Sequence, residues 1–253
     1  MLKSPSEIIR GGWELYAKNW RKFMPFLILL VLPSLLLPIL GVLGLYLEVY
    51  IPKTSFVSNL IIMAVYAAGM LFAFWISIAL ARAVAMAAGN QPFDWKNVFS
   101  TSSDLIWPVL WTTVIVILIV FGGSLLLVVP GLIFAVWYNF TFYTVIFENK
   151  RGMNALRASK DMVAGRWWAI LWRWLAQGLV FGILNLAIFY VLAFLIRLIP
   201  MPMFLEASLV NIISSLVSII TTPLMAGSAF ILYQSAKENP VTQQSAPTPP
   251  AQP

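Results

Sequence analysis

The sequence predicts an all-α integral membrane protein: a helical bundle with six transmembrane helices and amphipathic helices on its cytoplasmic side. Three observations predict this fold class. Of the 253 residues, 61% are hydrophobic and only 10% are charged, whereas soluble domains are about 25% charged. The mean hydropathy is +0.89. The apolar residues also fall into runs long enough for a helix to cross a bilayer, which takes about 20 residues.

The predicted elements follow the chain in order. Residues 1–22 read as an amphipathic helix that lies in the membrane interface. A capping box starts this helix, with Ser4 as N-cap and Glu7 as the third helical residue. The membrane domain, 23–233, follows, and shorter amphipathic segments at 93–104 and 153–164 precede its third and fifth spans. The tail, 234–253, is rich in Pro, Gln, Ser and Thr and is predicted to be disordered. The six spans are predicted at about residues 23–47, 56–80, 105–128, 131–147, 167–196 and 205–233.

The distribution of basic residues predicts the orientation of these spans. Of the 16 basic residues, 14 fall on the same side of the membrane as the N-terminus, Lys3 among them. Only Lys53 and Arg197 fall on the opposite side. Basic residues collect on the cytoplasmic side of a membrane protein. We therefore expect six spans in the cell membrane, with both termini in the cytoplasm. The N-terminal stretch lacks the short apolar core and cleavage site of a secretory signal, so the first span is expected to remain.

The composition excludes several kinds of site. The chain has no histidine and no cysteine, which removes thiolate nucleophiles, disulfides, haem ligation and the commonest general base. The nine carboxylates are scattered singly, and no glycine-rich phosphate loop is present. We therefore expect no catalytic, cofactor-binding or metal-ligating residue. The net charge of +7 is explained by basic residues beside the spans rather than by a nucleic-acid surface.

Two stretches of the chain resemble a known family. The first runs through Pro130-Gly131-Leu132-Ile133, Glu148, Ala155-Leu156-x-x-Ser159, Gly165 and Arg166-Trp167-Trp168; the second is Ile8-Ile9-x-x-Gly12-Trp13-x-x-Tyr16-x-x-Asn19-Trp20. These motifs resemble the membrane domain found with some glycerophosphoryl diester phosphodiesterases. They are equally similar to related stand-alone, largely uncharacterised six-span membrane proteins of prokaryotes. The resemblance covers about two thirds of the chain.

The departure from that family decides what the resemblance implies. In the full-length enzymes a separate soluble barrel carries catalysis, using histidine and metal-binding carboxylates. This chain has no such domain and no histidine. The resemblance therefore implies the membrane fold and a prokaryotic membrane protein, but not the phosphodiesterase activity.

Among the charged residues, Glu148 and Arg173 have two interpretations each. Glu148 either pairs with Arg157 or Arg166 and locks the loop against the bundle, or is a solvated carboxylate worth about 0–1 kcal/mol. Arg173 either extends to the interface among tryptophans or faces the bundle and contacts an anion. The candidate structural or functional residues are Pro130, Gly131, Glu148, Arg157, Ser159, Asp161, Gly165, Arg166, Trp167 and Arg173.

Polar residues inside the last three spans also have two interpretations, since they can line a polar path or hydrogen-bond between helices. These residues are Asn139, Thr141, Gln177, Asn185, Asn211, Ser214, Ser215 and Ser218. The sequence favours a non-catalytic membrane-organising, assembly or regulatory module. The alternative is a small-solute or lipid transporter, and an intramembrane enzyme is the weakest hypothesis because no nucleophile and base can be paired. The expected partners are the lipid bilayer, including anionic lipids, and a membrane protein or a second copy of the chain; no nucleic acid is expected.

Overall fold

The all-α prediction is confirmed for the part of the chain that the structure describes. This structure is a computed structural model, and it describes residues 2–50 and 55–240, among which there is no strand. The helices found there are α1 (Pro5–Tyr50), α2 (Ser55–Ala88), α3 (Trp95–Thr101), α4 (Ile106–Leu126), α5 (Val128–Trp137), α6 (Thr141–Glu148), α7 (Met153–Val163), α8 (Trp167–Arg197) and α9 (Met203–Glu238).

Five segments of the described residues are long and apolar enough to cross a bilayer. The chain is therefore a membrane-embedded helical protein. The first predicted span, 23–47, lies within α1, but its side chains from residue 34 onward are outside the described set. The five segments are Asn59–Ala88, Trp95–Leu126, Val128–Glu148, Trp167–Arg197 and Ser208–Glu238.

The long helix α1 joins two elements that the sequence separates. An interfacial helix is predicted to end at residue 22, but α1 is helical from Pro5 to Tyr50. Arg21 and Lys22 are good helix formers, and no glycine or asparagine stands at the predicted boundary to end the helix. The predicted start is confirmed, because Ser4 and Glu7 make the reciprocal hydrogen bonds of a capping box.

The turn between the third and fourth spans lies at Leu127, whereas the predicted bounds of these spans leave residues 129–130 between them. Helix α4 ends at Leu126, and Leu127 is extended, with φ −161° and ψ 150°. Pro130 instead lies in the first turn of α5. The first N–H groups of a helix have no partner within the helix, so a proline there forfeits no hydrogen bond.

Close packing of α4 and α5 follows directly from this turn. A Cβ atom built on Gly131 would lie 2.9 Å from Ser124 Cβ and 3.0 Å from its Cα. A Cβ on Gly123 would lie 2.7 Å from Phe134 Cδ2. Small residues allow helices in membranes to approach closely, and Gly131 and Gly123 have that role in this helical hairpin.

The fourth predicted span, 131–147, falls within one of the membrane-length apolar segments, Val128–Glu148. This segment is divided into α5 and α6, with residues 138–140 between them. The N–H of Phe140 donates to Ser159 Oγ on α7 at 3.1 Å. A buried backbone group must find a partner, and here the partner comes from another helix. Sequence periodicity carries no sign of such a contact.

The described residues belong to two compact units, which we call the first and second units. The first unit takes its residues from Met1–Trp13, Asp104–Gly178 and Gly227–Pro253, and in it α6 and α7 pack against each other and against α4. Its fully buried side chains include Ile8, Phe140, Leu156, Ile170 and Leu232.

The second unit takes its residues from Glu14–Ser103 and Leu179–Ala226. In it α3 packs against α2, where the ring centroids of Trp75 and Phe99 are 3.9 Å apart. Trp75 Nε1 also donates to Phe99 O at 3.1 Å. The polar residues of greatest functional interest lie in the first unit.

The last helix corrects the predicted start of the tail. Helix α9 ends at Glu238, whereas the tail is predicted to begin at residue 234. The last turn is held by contacts of Lys237 with Glu148 and of Arg166 with the helix carbonyls, so its hydrophilic sequence does not prevent helix formation. Residues 241–253 lie outside the described set, and the predicted disorder there stays a prediction.

Candidate functional site

Glu148 binds three side chains at the ends of two helices. It is the last residue of α6, which Asn149 ends in the left-handed conformation with φ 51°. Its Oε1 accepts a hydrogen bond from the Tyr233 hydroxyl at 2.7 Å and pairs with Lys237 Nζ at 3.2 Å. Its Oε2 pairs with Lys150 Nζ at 2.8 Å. Glu148 therefore ties the end of α6 to α9.

This arrangement corrects the predicted partners of Glu148. Neither Arg157 nor Arg166 pairs with it: Arg157 is exposed on α7, and Arg166 binds elsewhere. Tyr233 and Lys237 are not among the residues predicted from the sequence to contact Glu148. The available signal was their spacing, since residues four apart lie on the same face of a helix and can contact one partner together.

Arg166 closes the C-terminal end of α9. It lies between α7 and α8, directly after Gly165, whose φ is +79°. Its guanidinium donates to Ala236 O at 2.5 Å and to Asn239 O, and its Nε donates to Met162 O at 2.8 Å. The C-terminal carbonyls of a helix carry partial negative charge, which a cation stabilises. Burial, and secondarily the nearby Arg173 guanidinium, lower the pKa of Arg166, but an arginine remains charged in proteins.

Arg173 binds the beginning of the chain. Its Nε donates to Lys3 O at 2.6 Å and a second nitrogen donates to Leu2 O at 3.4 Å, while a third hydrogen bond goes to Ala169 O on its own helix. Lys3 N in turn donates to Ser235 Oγ at 2.9 Å. The side chain that the sequence offers as an anion contact therefore holds the N-terminal segment beside α8 and α9.

Ser159 holds the break between α5 and α6. Its hydroxyl accepts from Phe140 N at 3.1 Å and donates to Trp137 O at 2.7 Å. The neighbouring Thr144 hydroxyl donates to Thr141 O in the first turn of its own helix at 2.8 Å and also lies 3.3 Å from Ala155 O of α7. Ser159 is fully buried, so its two hydrogen bonds are shielded from water and satisfy backbone groups that would otherwise be unpaired.

Trp167 also makes a structural contact. Its Nε1 donates to Ile133 O at 3.4 Å, and its ring lies edge-on to that of Trp168, with centroids 4.7 Å apart. Trp168 and Trp172 remain exposed. Exposed tryptophans at the end of a membrane helix suit the headgroup region.

A cleft of about 660 Å³ opens beside Glu148 in the first unit, and we call it the polar cleft. Charged residues of both signs line it: Glu148 and Asp161 against Lys150 and Lys237. Gly165 lies on its wall. Three of the predicted candidates, Glu148, Asp161 and Gly165, are thus brought together, whereas Arg157 does not line the cleft.

A second concavity adjoins the same lysine. It measures about 450 Å³ and is lined by Phe147, Phe230, Tyr233 and Lys237, with two further residues of α9; we call it the aromatic groove. The rings of Phe147 and Phe230 are 5.3 Å apart, edge to face. Lys237 lines both the polar cleft and the aromatic groove, so the two concavities meet at its side chain.

Three buried polar atoms of the first unit lack a hydrogen-bond partner among the described residues: Thr141 Oγ1, Gln177 Nε2 and Ser228 Oγ. Thr141 and Gln177 are among the predicted path residues. Asn185, in the second unit, instead donates to Thr221 Oγ1 at 2.9 Å. Within residues 2–50 and 55–240 no group of three acidic, histidine or cysteine residues could hold a metal ion.

Comparisons of the chain with family models, with characterised proteins and with solved structures found no match. The resemblance drawn from the short motifs thus stays a prediction.

Proposed function

We propose that this chain is a non-catalytic, multi-pass protein of a prokaryotic cell membrane, with six spans and both termini in the cytoplasm. Its role is to organise, assemble or regulate other membrane components. A membrane-protein partner or a second copy of the chain binds it within the bilayer. Its similarity to the membrane domain of glycerophosphoryl diester phosphodiesterases is part of this proposal, without the enzyme's activity.

The observation that carries the proposal is the use of Arg166 and Arg173. A transporter of anions would present such cations to its substrate, but both guanidinium groups here bind backbone carbonyls at the two ends of the chain. Ser159 likewise binds two backbone groups. The polar candidates of the sequence thus support a fixed scaffold, which suits a protein whose surface binds partners.

Purification from native membranes tests the proposed role. The tagged full-length chain, extracted into lipid nanodiscs, is expected to co-purify with a reproducible membrane protein or as a homo-oligomer. The same preparation reconstituted in liposomes is expected to give no uptake above empty liposomes across a panel of metabolites and lipids. A monomer without partners that supports uptake would contradict the proposal.

Reporter fusions test the orientation separately. A reporter that is active only in the cytoplasm is expected to be active when fused at either end. A second reporter, active only outside the cytoplasm, is expected to be active when inserted near Lys53, because that loop lies outside in the proposed arrangement. Reporters at the two ends that lie in different compartments would overturn the six-span arrangement, whatever the role of the protein.

Three unpaired polar atoms favour a small-solute or lipid transporter as a second candidate function. Thr141 Oγ1, Gln177 Nε2 and Ser228 Oγ are buried in the first unit, and an unpaired buried polar group is costly. A polar substrate or water passing between helices would supply the missing hydrogen bonds. This candidate predicts liposome uptake that is lost in Gln177→Leu and kept in Gln234→Leu; absence of uptake in the native chain would exclude it.

A further inference from the structure

We propose that the polar cleft and the aromatic groove together bind one phospholipid whose headgroup carries a phosphodiester and a primary ammonium group. Phosphatidylethanolamine has this chemistry. The phosphate contacts Lys150 and Lys237 on the side of their ammonium groups that faces away from Glu148, the ammonium lies at Asp161, and an acyl chain lies along the aromatic groove. This inference does not rest on the proposed function, because a scaffold and a transporter can each hold a lipid.

The two lysines have donors to spare for a phosphate. Each ammonium group has three N–H donors and contacts Glu148 through one oxygen, at 2.8 Å for Lys150 and 3.2 Å for Lys237. The lysine side chains are 46% and 51% exposed, whereas Glu148 is 14% exposed. The carboxylate therefore holds both ammonium groups at the wall of the cleft and leaves their remaining N–H groups available to a ligand.

Asp161 supplies the opposite charge. It is exposed on α7, lines the polar cleft, and has no hydrogen bond or ion pair within the described part of the chain. A primary ammonium group can donate several hydrogen bonds to such a carboxylate. A quaternary ammonium group, as in phosphatidylcholine, has no N–H to donate.

The balance of charge in the cleft favours a zwitterionic headgroup over an anionic one. Two lysines face two carboxylates in the cleft, Glu148 and Asp161, and Glu238 lines the adjoining groove, so the two concavities together have no excess of positive charge to attract a net anion. A headgroup with one charge of each sign pairs with both sides. An anionic headgroup such as phosphatidylglycerol would leave Asp161 without a cation.

The aromatic groove identifies the ligand as a lipid rather than a soluble phosphate ester. Phe147, Phe230 and Tyr233 line it, and Lys237 joins it to the cleft. The two volumes, about 660 and 450 Å³, lie in the range of ligand-binding cavities. Both concavities lie where α6 and α9 end, at Glu148 and Glu238, and the ends of membrane helices lie at the level of the headgroups.

Native mass spectrometry of the full-length chain in mild detergent tests the proposal. The chain is titrated with phosphatidylethanolamine, phosphatidylglycerol and phosphatidylcholine that carry the same acyl chains. We expect one molecule of phosphatidylethanolamine to bind about tenfold more tightly than either of the others, which corresponds to about 1.4 kcal/mol. Equal binding of the three lipids would overturn the proposal.

Two variants locate the site. Asp161→Asn, which disturbs no contact of the described chain, is expected to remove the preference for phosphatidylethanolamine over phosphatidylcholine. Lys237→Gln is expected to weaken the binding of all three lipids. Arg157→Gln is the matched control, because Arg157 is exposed on the same helix as Asp161 but does not line the cleft. A preference that survives in Asp161→Asn, or that is lost equally in Arg157→Gln, would place the lipid elsewhere.

A soluble headgroup distinguishes a lipid site from a site for a soluble phosphate ester. Glycerophosphoethanolamine, which lacks acyl chains, is expected to compete with the lipid only at concentrations at least about tenfold higher. If it competes as effectively as the lipid, then the aromatic groove contributes nothing and the lipid assignment is wrong. Phe230→Ser is expected to weaken binding of the lipid and to leave binding of the soluble headgroup unchanged.

Discussion

The carboxylate of Glu148 accepts a 2.7 Å hydrogen bond from the hydroxyl of Tyr233, which lies 85 residues further along the chain. This bond connects the end of α6 to α9. Hydrogen bonds to charged groups contribute more to stability than bonds between neutral groups, so the contact is expected to matter for the fold of the first unit.

Removing the Tyr233 hydroxyl is therefore expected to destabilise the protein. Tyr233→Phe should lower the free energy of unfolding by about 1.5 kcal/mol, measured by thermal unfolding in detergent. Tyr190→Phe is the control, since Tyr190 is exposed on α8. In Glu148→Gln the further effect of Tyr233→Phe should be smaller, because the two residues are coupled. Fully additive effects would show that this hydrogen bond contributes nothing.

Ser159 provides a second prediction. Ser159→Ala removes both the acceptor for Phe140 N–H and the donor to Trp137 O, leaving two buried backbone groups without a partner. We expect the free energy of unfolding to fall by about 1–3 kcal/mol, and amide hydrogen exchange at Phe140 to accelerate. Ser215→Ala, which removes only a bond to the carbonyl four residues earlier in its own helix, should change neither quantity much.

The α4–α5 hairpin predicts opposite effects at two glycines. Gly131→Ala places a Cβ about 3 Å from the backbone Cα of Ser124, so the helices must move apart, at an expected cost of about 1–3 kcal/mol. Gly122→Ala meets nothing within 4 Å and should be neutral or stabilising by up to about 1 kcal/mol, because alanine favours a helix. Thermal unfolding of the two variants measures the difference, and an equal stability would show that the hairpin is looser than the structure indicates.

The capping box predicts a pH dependence at the start of α1. Glu7 Oε2 accepts hydrogen bonds from Ser4 N at 2.6 Å and from Ser4 Oγ at 2.8 Å. These bonds, the backbone bond first, hold the pKa of Glu7 below its usual value. A carboxyl whose pKa is lower in the folded state stabilises that state above its unfolded pKa, and this stabilisation is lost as the pH falls through the folded pKa.

An NMR titration of the Glu7 side-chain carboxyl checks this prediction. In Ser4→Ala the pKa of Glu7 should rise towards its usual value, since both donors to Oε2 are weakened or removed. In Ser6→Ala it should stay low, because Ser6 contacts only the Ser4 hydroxyl among the capping residues. A pKa that does not change in Ser4→Ala would mean that the capping box does not form in solution.

Local signals predicted the features that depend on neighbours in sequence. The capping box at Ser4 and Glu7 is confirmed, and it could be predicted because its partners are only three residues apart. Gly89 and Asn90 are a local signal for the end of α2, which stops at Ala88, and Asn90 has φ 51°; glycine and asparagine tolerate that conformation. The start of α8 at Trp167 also matches, since the apolar run begins there.

Contacts between residues distant in sequence account for the features that were predicted wrongly or not at all. The partners of Glu148 lie on α9, and the break before Thr141 depends on Ser159 of α7. No local pattern distinguishes a glutamate beside Lys150 that also reaches Lys237 from one that stays in solvent. Pro130 misled the placement of the turn, since proline fits the first turn of a helix as well as a break between helices.

The long apolar runs are enough to predict a helical chain embedded in a membrane, because such runs can satisfy their backbone groups in lipid only as helices. Which polar groups meet depends on how the helices pack. In the tertiary structure Arg166 lies on the carbonyls of α9, Arg173 on those of the N-terminal segment, and two lysines on either side of Glu148. These partners are fixed by helix packing, which brings together residues that the order of the chain keeps far apart.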